Sequence, residues 1–309
     1  MWSKAVIEKV GFSGVVSGLV TGSSVAESMR RRFVGRDQQE ALEMAQSLLD
    51  SGVGVTLHVR DTPVGSGNSA EEEVQQYLRL IDAIAGAGLP DTEVSVKLEQ
   101  LGLYSHGPET ATAHLIHLAQ AAAARAIPMT LDMEAVDEVA VTLDAWHAAH
   151  AHVEDLGIAI QSYLPRSQQD CRDLAAMGAR VRLCKGGYAQ VAGVTYSAGH
   201  DIDLAYVRCA RELLAGAYPM FATHDDRLIR IVEYLGADRG PGQWEYQVLR
   251  GVRPYLMADL VARGHHVRAY VAFGKDWYSW FVGRLAAKPS NVFLLGRAVL
   301  AQGRSEPPT

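Results

Sequence analysis

The sequence predicts an α/β fold, a closed (βα)8 barrel in which eight parallel strands alternate with helices. Eight short runs rich in Val, Ile and Leu have the apolar character of buried parallel strands. Helical patterns separate these runs, and this alternation is typical of βα units that build a parallel sheet. The length of 309 residues suits one such barrel, since about 250 residues or more is typical. An open, doubly wound sheet is the alternative, and it requires that some strands are miscounted.

The eight predicted strands are apolar almost throughout, as expected of a parallel sheet that is covered on both faces. A clean alternation of polar and apolar residues would instead indicate a sheet with one face in solvent. The run at 244–248 has the weakest strand pattern because it also fits the end of a helix. The predicted strands comprise residues 53–59, 93–98, 127–133, 157–163, 180–185, 218–223, 244–248 and 267–273.

Helical patterns fill the segments around these strands. Glycine ends the first two helices, at Gly52 and at Gly86 with Gly88, because glycine readily adopts the left-handed conformation of a helix C-terminus. Eight strand-helix units of this kind predict closure of the sheet into a barrel. The predicted helices comprise residues 38–49, 70–84, 109–126, 137–151, 168–177, 203–214, 225–235, 252–263 and 277–287.

One domain accounts for most of the chain. Residues 1–35 are predicted to form a short N-terminal helical extension, residues 36–300 the barrel, and residues 301–309 a disordered polar tail. The N-terminus loosely resembles a signal peptide, but Glu8 interrupts it and Ser and Gly dilute the apolar stretch at 10–20. We therefore favour a helix packed outside the domain, with export as the alternative.

The composition limits the classes of function. Apolar residues make up 48% of the chain and charged residues 21%, which supports a sizeable core. The net charge of −6 argues against nucleic-acid binding, which needs a strong basic excess. Three cysteines, an odd number without metal-binding spacing, fit a reducing cytoplasm. No apolar run approaches the roughly 20 residues that span a bilayer, so we expect membrane contact to be peripheral at most.

Polar side chains stand near the C-terminal ends of most predicted strands, where barrel enzymes carry their chemistry. A charge in an apolar strand is unfavourable unless it is paired or used. A structural ion-pair network is the alternative for any single residue, but the convergence of the whole set on one rim favours a functional site. The set comprises Lys97, Asp132, Gln161, Tyr163, Arg182, Lys185, Thr223, His224, Gln247 and Tyr270.

The segment RLCKGGY at 182–188 has a further property. Gly186 and Gly187 allow a tight turn and a close approach of the backbone to a ligand. Backbone N–H groups beside Lys185 suit a phosphate or diphosphate, although this signal is weak by itself. Glycine-rich nucleotide loops of the G-x-G-x-x-G or G-x-x-x-x-G-K type, the G-x-S-x-G elbow and clustered histidine motifs do not occur. We therefore expect no metal, and we assign no role to Cys184.

Seven blocks of the sequence share their pattern and order with one known family. They are VSVKL (94–98), LDME (131–134), IQSYLPR (160–166), RLCKGGY (182–188), ATHD (222–225), WEYQVLRGVR (244–253) and VRAYVAFGKDWY (267–278). Together they resemble the proline dehydrogenase family in its small monofunctional bacterial form, from about residue 38 to 300. The resemblance implies a distorted (βα)8 TIM-type barrel, with non-covalent FAD over the strand ends of a catalytic domain at 36–300.

The resemblance also implies a reaction and roles for individual residues. The family oxidises L-proline, a small cyclic amino acid, to Δ1-pyrroline-5-carboxylate by hydride transfer to flavin N5 and passes electrons to a quinone. Asp132 and Arg182 are the expected catalytic residues, with Arg182 near flavin N5. Substrate contacts are implied for Lys97, Leu249 and Tyr270. Flavin contacts are implied for Met133, Gln161, Arg182, Lys185, Gly186, Gly187, Thr223 and His224, and Gln247 is expected to join them.

The last predicted helix departs from the family pattern. The family usually has a tyrosine there, followed by two adjacent arginines that clamp the substrate carboxylate. Trp280 stands at the position of the tyrosine and Gly283 at that of the first arginine, so only Arg284 remains. An arginine–carboxylate bond contributes about 1.5–3 kcal/mol, so the loss of one clamp predicts roughly 10- to 100-fold weaker binding of proline.

Two substrate hypotheses follow from this departure. In the first, Lys97 and Arg284 suffice, and free proline is the substrate. In the second, Gly283 makes room for a substituted proline, a six-membered imino acid or a carrier-tethered prolyl group, and Trp280 stacks over its ring. A third hypothesis, from another class, is a flavin-binding sensor that has lost catalysis because its clamp is incomplete. The intact set of Lys97, Asp132 and Arg182 favours an enzyme.

Overall fold

The computed structural model describes residues 24–60 and 69–274, which form a closed parallel barrel surrounded by helices. The strands are β1 (Val34–Gly35), β2 (Gly54–Val59), β3 (Thr92–Val96), β4 (Met129–Leu131), β5 (Gly157–Gln161), β6 (Arg180–Cys184), β7 (Tyr218–Ala222), β8 (Glu245–Leu249) and β9 (Val267–Phe273). Each of β2 to β8 pairs in parallel with the next strand, and β9 also pairs with β2, which closes the barrel. The predicted eight-stranded barrel is therefore confirmed, and the open doubly wound sheet is wrong.

Helices connect the strands. They are α1 (Ser24–Phe33), α2 (Gln38–Asp50), α3 (Ala70–Ala87), α4 (Leu103–His106), α5 (Pro108–Ala123), α6 (Val139–His150), α7 (Ser167–Ala176), α8 (Gly199–Leu214), α9 (Asp226–Leu235) and α10 (Pro254–Ala262). Local chemistry sets their ends. Ser69 and Glu72 form a reciprocal capping box at the start of α3, and Gly88 ends that helix in the left-handed conformation with φ of 63°.

The predicted elements agree with the observed ones to within a few residues, and even the weak pattern at 244–248 corresponds to β8. β1 and α4 are not predicted, because a strand of 2 residues and a helix of 4 residues show no periodicity. The helix predicted at 252–263 begins at Pro254, a residue suited to the first helical turn. The helix predicted at 277–287 lies outside the described residues.

Alternate residues of the strands face two different environments. Leu57, Val94 and Leu183 are fully buried in the apolar core between the sheet and the helices. Their neighbours point into the barrel, whose interior is charged. Arg182 of β6 donates to Glu93 of β3 at 3.0 Å, and these strands are not adjacent, so both side chains cross the interior.

Ion pairs close the N-terminal end of the barrel. Arg268 donates to Glu245 Oε1 at 2.9 Å and to Asp91 Oδ1 at 2.5 Å. His266 lies between the same carboxylates, with Nε2 2.8 Å from Asp91 Oδ2 and Nδ1 3.1 Å from Glu245 Oε2. Hydrogen bonds to Asp91 and Glu245 favour the protonated ring and raise the pKa of His266 to about 9. This end is therefore filled by structural charge pairs, which leaves the opposite end for a ligand.

The N-terminal helical segment is represented by α1, and β1 then pairs with β9 through Val34 and Ala272. Residues 1–23 and the tail predicted at 301–309 lie outside the described residues, as does 61–68. Within the two described ranges, no helix combines the length and the apolar character needed to cross a membrane.

Candidate active site

Arg182 is the centre of the rim that the C-terminal ends of the strands form. Its side chain is only 5% exposed. Nη1 donates to Asp132 Oδ1 at 2.5 Å and to Ser95 Oγ at 2.8 Å. Nη2 donates to Glu93 Oε2 at 3.0 Å, and Nε donates to Gln247 Oε1 at 2.5 Å. The guanidinium plane is thus fixed by groups from β3, β8 and the end of β4.

Asp132 follows β4 and binds its neighbours through both oxygens. Oδ1 accepts from Ser95 Oγ at 2.7 Å as well as from Arg182, and Oδ2 accepts from the Tyr270 hydroxyl at 2.8 Å. The Tyr270 ring centre lies 5.4 Å from the Arg182 guanidinium carbon. Burial alone would raise the pKa of Asp132, but the Arg182 guanidinium holds it below its ordinary value. Asp132 is therefore a stable anion, and it orients both Arg182 and Tyr270.

Glu93 lies one layer below this rim and is fully buried. Its Oε2 accepts from Arg182 at 3.0 Å and from Thr56 Oγ1 at 2.8 Å. Its Oε1 accepts from Arg180 Nη2 at 3.1 Å and from the Thr130 hydroxyl. Burial opposes ionisation of Glu93, but Arg182 and Arg180 outweigh it and keep the pKa below its ordinary value. Glu93 therefore anchors Arg182 from beneath.

A second cluster joins Lys97, Glu134 and Tyr188. Lys97 Nζ lies 2.7 Å from Glu134 Oε1, and both side chains are less than 10% exposed, at 9% and 8%. The Tyr188 hydroxyl donates to Glu134 Oε2, and Lys97 Nζ lies 3.4 Å from the same hydroxyl. Burial raises the pKa of Glu134, although Lys97 opposes that shift. Lys97, expected to hold a substrate carboxylate, thus has an acidic partner within the protein.

The Gly-Gly turn after β6 packs against Gln161 and Tyr163. Gly186 has φ of +133°, and a Cβ there would lie 2.6 Å from the Tyr163 ring, so this position requires glycine. The Gly187 N–H donates to Gln161 Oε1 at 3.0 Å, and Gln161 Nε2 donates to the Glu134 carbonyl at 2.6 Å. Gln161 therefore links this turn to the Lys97–Glu134–Tyr188 cluster.

Lys185 is part of a four-charge cluster at the starts of α8 and α9. Its Nζ lies 2.5 Å from Asp203 Oδ1 and 2.9 Å from Asp225 Oδ2. Arg227 Nη2 lies 2.7 Å from Asp203 Oδ2 and 3.1 Å from Asp225 Oδ2. Burial would raise the pKa of Asp225, but bonds from Arg227 and Lys185 lower it far below its ordinary value. The cation expected to bind phosphate thus stands between two carboxylates.

His224 and Thr223 follow β7 and hold the chain near this cluster. His224 Nε2 accepts from the Leu249 N–H at 3.2 Å. Burial, and then the Arg253 guanidinium, lower the pKa of His224 to about 4, so the ring is neutral at physiological pH. Thr223 Oγ1 accepts from the Asp225 N–H at 3.1 Å. Both residues lie at the rim, as the sequence predicts, and in this structure they stabilise its loops.

Three predicted site residues, Trp280, Gly283 and Arg284, lie outside the described residues. Met133 is buried within the main apolar core. Among the predicted flavin contacts, the contact of Met133 therefore has the least support from the position of its side chain. Leu249 ends β8 and is half-buried at the rim. In the part of the chain that the structure describes, no three His, Cys, Asp or Glu side chains form a metal-binding cluster.

Sequence reasoning missed several residues of the site. Ser95 and Glu93 lie two and four positions before Lys97, and Glu134 lies two after Asp132, so strand alternation places them on the same inward face. That signal could have identified them. Tyr188 lies in a loop, and nothing in the sequence places it beside Glu134.

His58 of β2 is a further missed residue. It is fully buried, and its ring lies 5.8 Å from the Tyr270 ring. Its Nδ1 lies 3.1 Å from the Ser95 carbonyl oxygen, while Nε2 has no hydrogen-bond partner among the described residues. Burial, followed by the charge of Lys97, lowers the pKa of His58 to about 3. His58 is therefore a neutral ring beneath the candidate site.

Comparison with known families and proteins gives a consistent result. The family model described as proline dehydrogenase matches residues 41–277. Proline dehydrogenase 1 of Bacillus subtilis subsp. natto is 33% identical over 274 residues, which cover 87% of this chain and 90% of that protein. Proline dehydrogenase of Deinococcus radiodurans is 31% identical over 281 residues, with 88% and 90% coverage.

Solved structures with the same fold belong to larger proteins. Proline utilization A from Bdellovibrio bacteriovorus matches with a TM-score of 0.81 and 20% identity, over 99% of this chain and 39% of that one. A variant of proline utilization A from Bradyrhizobium japonicum matches with a TM-score of 0.72 and 24% identity, over 97% and 36%. The chain therefore spans well under half the length of these solved proteins, and the likeness to them concerns the fold.

Proposed function

The chain belongs to the proline dehydrogenase family, and from this premise we propose that it oxidises L-proline to Δ1-pyrroline-5-carboxylate with non-covalent FAD. Membership places the chain among oxidoreductases that act on CH–NH donors. The observation that carries the proposal is the buried Arg182, fixed by Asp132 and Gln247 at the C-terminal end of the barrel. Active sites of barrel enzymes lie at this end.

The residues at the rim fit a flavin in their chemistry. Arg182 uses its Nε, both Nη1 hydrogens and one Nη2 hydrogen within the protein, and among the described residues none accepts the last one. That donor is available to a ring atom of the cofactor. The other groups that would hold FAD are Gln161, Lys185, Gly186, Gly187, Thr223, His224 and Gln247. When bound, FAD supplies the acceptor for the hydride.

The chain's own residues then contribute position and charge. Hydride transfer requires the donor carbon to be held close to its acceptor, and such positioning supplies much of the rate. Arg182 stabilises negative charge that develops beside it, because a fixed cation in a buried site requires no reorganisation. Asp132 keeps Arg182 and the Tyr270 hydroxyl in place.

Substrate recognition is assigned to Lys97, Tyr270 and Leu249, together with Arg284. Lys97 is paired with Glu134, so a substrate carboxylate would join an existing ion pair rather than meet a free cation. The altered positions Gly283 and Trp280 are the reason for a second hypothesis, in which the same chemistry acts on a substituted proline, a six-membered imino acid or a carrier-tethered prolyl group. We further propose a quinone as electron acceptor and a cytoplasmic location.

Anaerobic reduction of the bound flavin tests this function. The purified protein is expected to carry FAD, and the visible flavin band should bleach when L-proline is added. Bleaching only by ring-substituted or carboxylate-modified analogues would establish the modified substrate instead. A protein that retains FAD but is bleached by none of these compounds would be a flavin-binding sensor, and a protein that binds no flavin would contradict the proposal.

A further inference from the structure

Two carboxyl groups at the end of β4 stand in contrasting environments. Asp132 and Glu134 both follow Leu131, the last residue of β4, and their carboxyls bind Arg182 and Lys97 at the rim. The pKa of Asp132 lies below its ordinary value and that of Glu134 lies above its own. Paired carboxyls whose surroundings shift them in opposite directions commonly divide between an ionic role and a proton-transfer role.

Asp132 is suited to the ionic role. Arg182, Ser95 and Tyr270 donate to its two oxygens at 2.5, 2.7 and 2.8 Å. Protonation would break the charge pairing with Arg182 in a buried setting, which is strongly unfavourable. Asp132 is therefore poorly suited to accept a proton.

Glu134 differs from Asp132 in the groups that face it. Its side chain is 8% exposed, and Lys97 from the end of β3 and Tyr188 from the segment after β6 bind its oxygens. Asp132, on its own segment, adds a negative charge that disfavours ionisation. Its carbonyl is held by Gln161 at 2.6 Å, which fixes the backbone beneath the side chain. A carboxyl with raised pKa is better matched to proton transfer near neutral pH.

The proposed reaction needs such a group, and this step rests on the proposed function. Proline in neutral solution carries a protonated amine, which has no lone pair to donate. We infer that Glu134 is the proton acceptor for the substrate amine. One N–H proton passes to the Glu134 carboxylate, and the freed nitrogen lone pair forms the C=N bond. The adjacent C–H bond breaks as its hydrogen and electron pair pass to the flavin, and Glu134 then returns its proton to solvent.

Other described groups near the rim are poorly suited to this role. His58 is fully buried, and its low pKa reflects a ring that resists protonation. Lys97 is a cation paired with Glu134 and cannot accept a proton while charged. His224 is half-buried, and its acceptor nitrogen binds the Leu249 N–H. Glu134 is thus the group that combines a position beside Lys97 with a raised pKa.

The variant Glu134→Gln tests the assignment, because glutamine keeps the shape but cannot take a proton. Glu138→Gln is the matched control, since Glu138 is a residue only 7% exposed whose carboxyl accepts from the Tyr104 hydroxyl at 2.5 Å rather than from a residue of the site. The rate of anaerobic flavin reduction by L-proline would be measured from mildly acidic to alkaline pH. Thermal melts of each variant would check folding.

At neutral pH we expect Glu134→Gln to reduce flavin about 10²- to 10⁴-fold more slowly than wild type, the usual size of general base catalysis. The deficit should shrink as the pH approaches the pKa of the free substrate amine, because proline then arrives deprotonated. Glu138→Gln should behave as wild type. A deficit of the same size at every pH would overturn the assignment, as would a variant with the wild-type rate.

Tyr188→Phe gives a second measurement that is independent of the loss of the carboxyl. Removing a donor to Glu134 should raise its pKa, so the acidic limb of the rate profile should move to higher pH. An unmoved limb would contradict the role of Glu134. If the wild-type protein binds FAD but L-proline does not bleach it, the proposed function itself fails. If L-proline bleaches the wild-type flavin but the acidic limb does not move in Tyr188→Phe, only the assignment of Glu134 fails.

Discussion

Lys185 illustrates how the surroundings of a single residue alter its expected behaviour. The sequence places a lysine beside two glycines, a pattern that favours phosphate binding. In the structure, Asp203 and Asp225 lie 2.5 and 2.9 Å from its Nζ, and Arg227 contacts the same carboxylates. The four charges sum to zero, so a diphosphate would meet a neutral cluster rather than a free cation. Under the proposed function, the FAD diphosphate would compete with Asp203 for Lys185.

We predict that Asp203→Asn binds FAD more tightly than wild type. Removal of one carboxylate near the diphosphate relieves a repulsion of about 1 kcal/mol at a partly exposed site, which corresponds to roughly fivefold in affinity. Titration of the apoprotein by quenching of flavin fluorescence would measure it. Asp201→Asn, an exposed carboxylate on the same helix, should leave the affinity unchanged. Weaker binding by Asp203→Asn would mean that Asp203 orients Lys185 instead.

Individual site residues were predictable where they stood out against an apolar strand. Asp132 and Arg182 lie within an apolar strand or directly after one. Because a buried charge is unfavourable unless it is paired or used, this position identifies them as candidate site residues. Glu134 carries the same signal by its spacing from Asp132. Tyr188 carries none, because its contact with Glu134 depends on the path of a loop that hydrophobic periodicity does not describe.

At the scale of elements, the strands were predictable because buried parallel strands have a distinctive apolar composition. Their alternation also explains the interior. The inward positions of β3 and β6 carry Glu93, Arg180 and Arg182, and both arginines donate to Glu93 across the barrel. Which carboxylate pairs with which arginine depends on the closure and register of the sheet, so it could not be read from the sequence.

We predict that Glu93→Gln destabilises the protein by about 3–5 kcal/mol, because it leaves two arginines facing a neutral group in a buried layer. It should also slow flavin reduction, since Arg182 loses the support of Glu93 Oε2. Denaturant unfolding would measure the first effect. Asp91→Asn removes a carboxylate that pairs with Arg268, but this carboxylate is 38% exposed. Its loss should therefore lower the free energy of unfolding by less than Glu93→Gln does. Equal stability of Glu93→Gln and wild type would contradict the anchoring role.

At the scale of the whole molecule, the charged residues have different roles at the two ends of the barrel: structural ion pairs at one end and the candidate site at the other. The N-terminal end holds Arg268 and His266 between carboxylates of β8 and the segment before β3. The C-terminal end presents Arg182, Lys97 and Glu134 at the rim. The closed barrel was predictable from eight regular units, whereas the chemistry of its interior required the three-dimensional register.

Stability should fall on the alkaline side through His266. Its pKa is about 9 in the folded protein against 6.5 for the free side chain, so protonation favours the folded state. This contribution is complete below pH 6.5 and is lost as the pH rises through 9. The free energy of unfolding of His266→Gln should therefore depend less on pH over this interval than that of wild type.

The neighbouring His265→Gln serves as the control for this measurement. His265 contacts Glu233 at 2.7 Å instead of the two carboxylates that hold His266. It should retain the wild-type decline between pH 6.5 and 9. If His266→Gln declines as steeply as wild type, another group controls alkaline stability.

The charged interior has a consequence for how the chain acquires its structure. Glu93 meets Arg180 and Arg182 over separations of 87 and 89 residues, and Arg268 meets Asp91 over 177. Each half of the barrel thus contributes charges whose partners are in the other half. A fragment that contained only β2 to β5 would have to dehydrate Glu93 without a counterion. We therefore expect that the two halves do not fold as independent units, and that the interior ion pairs form completely only once β9 is present.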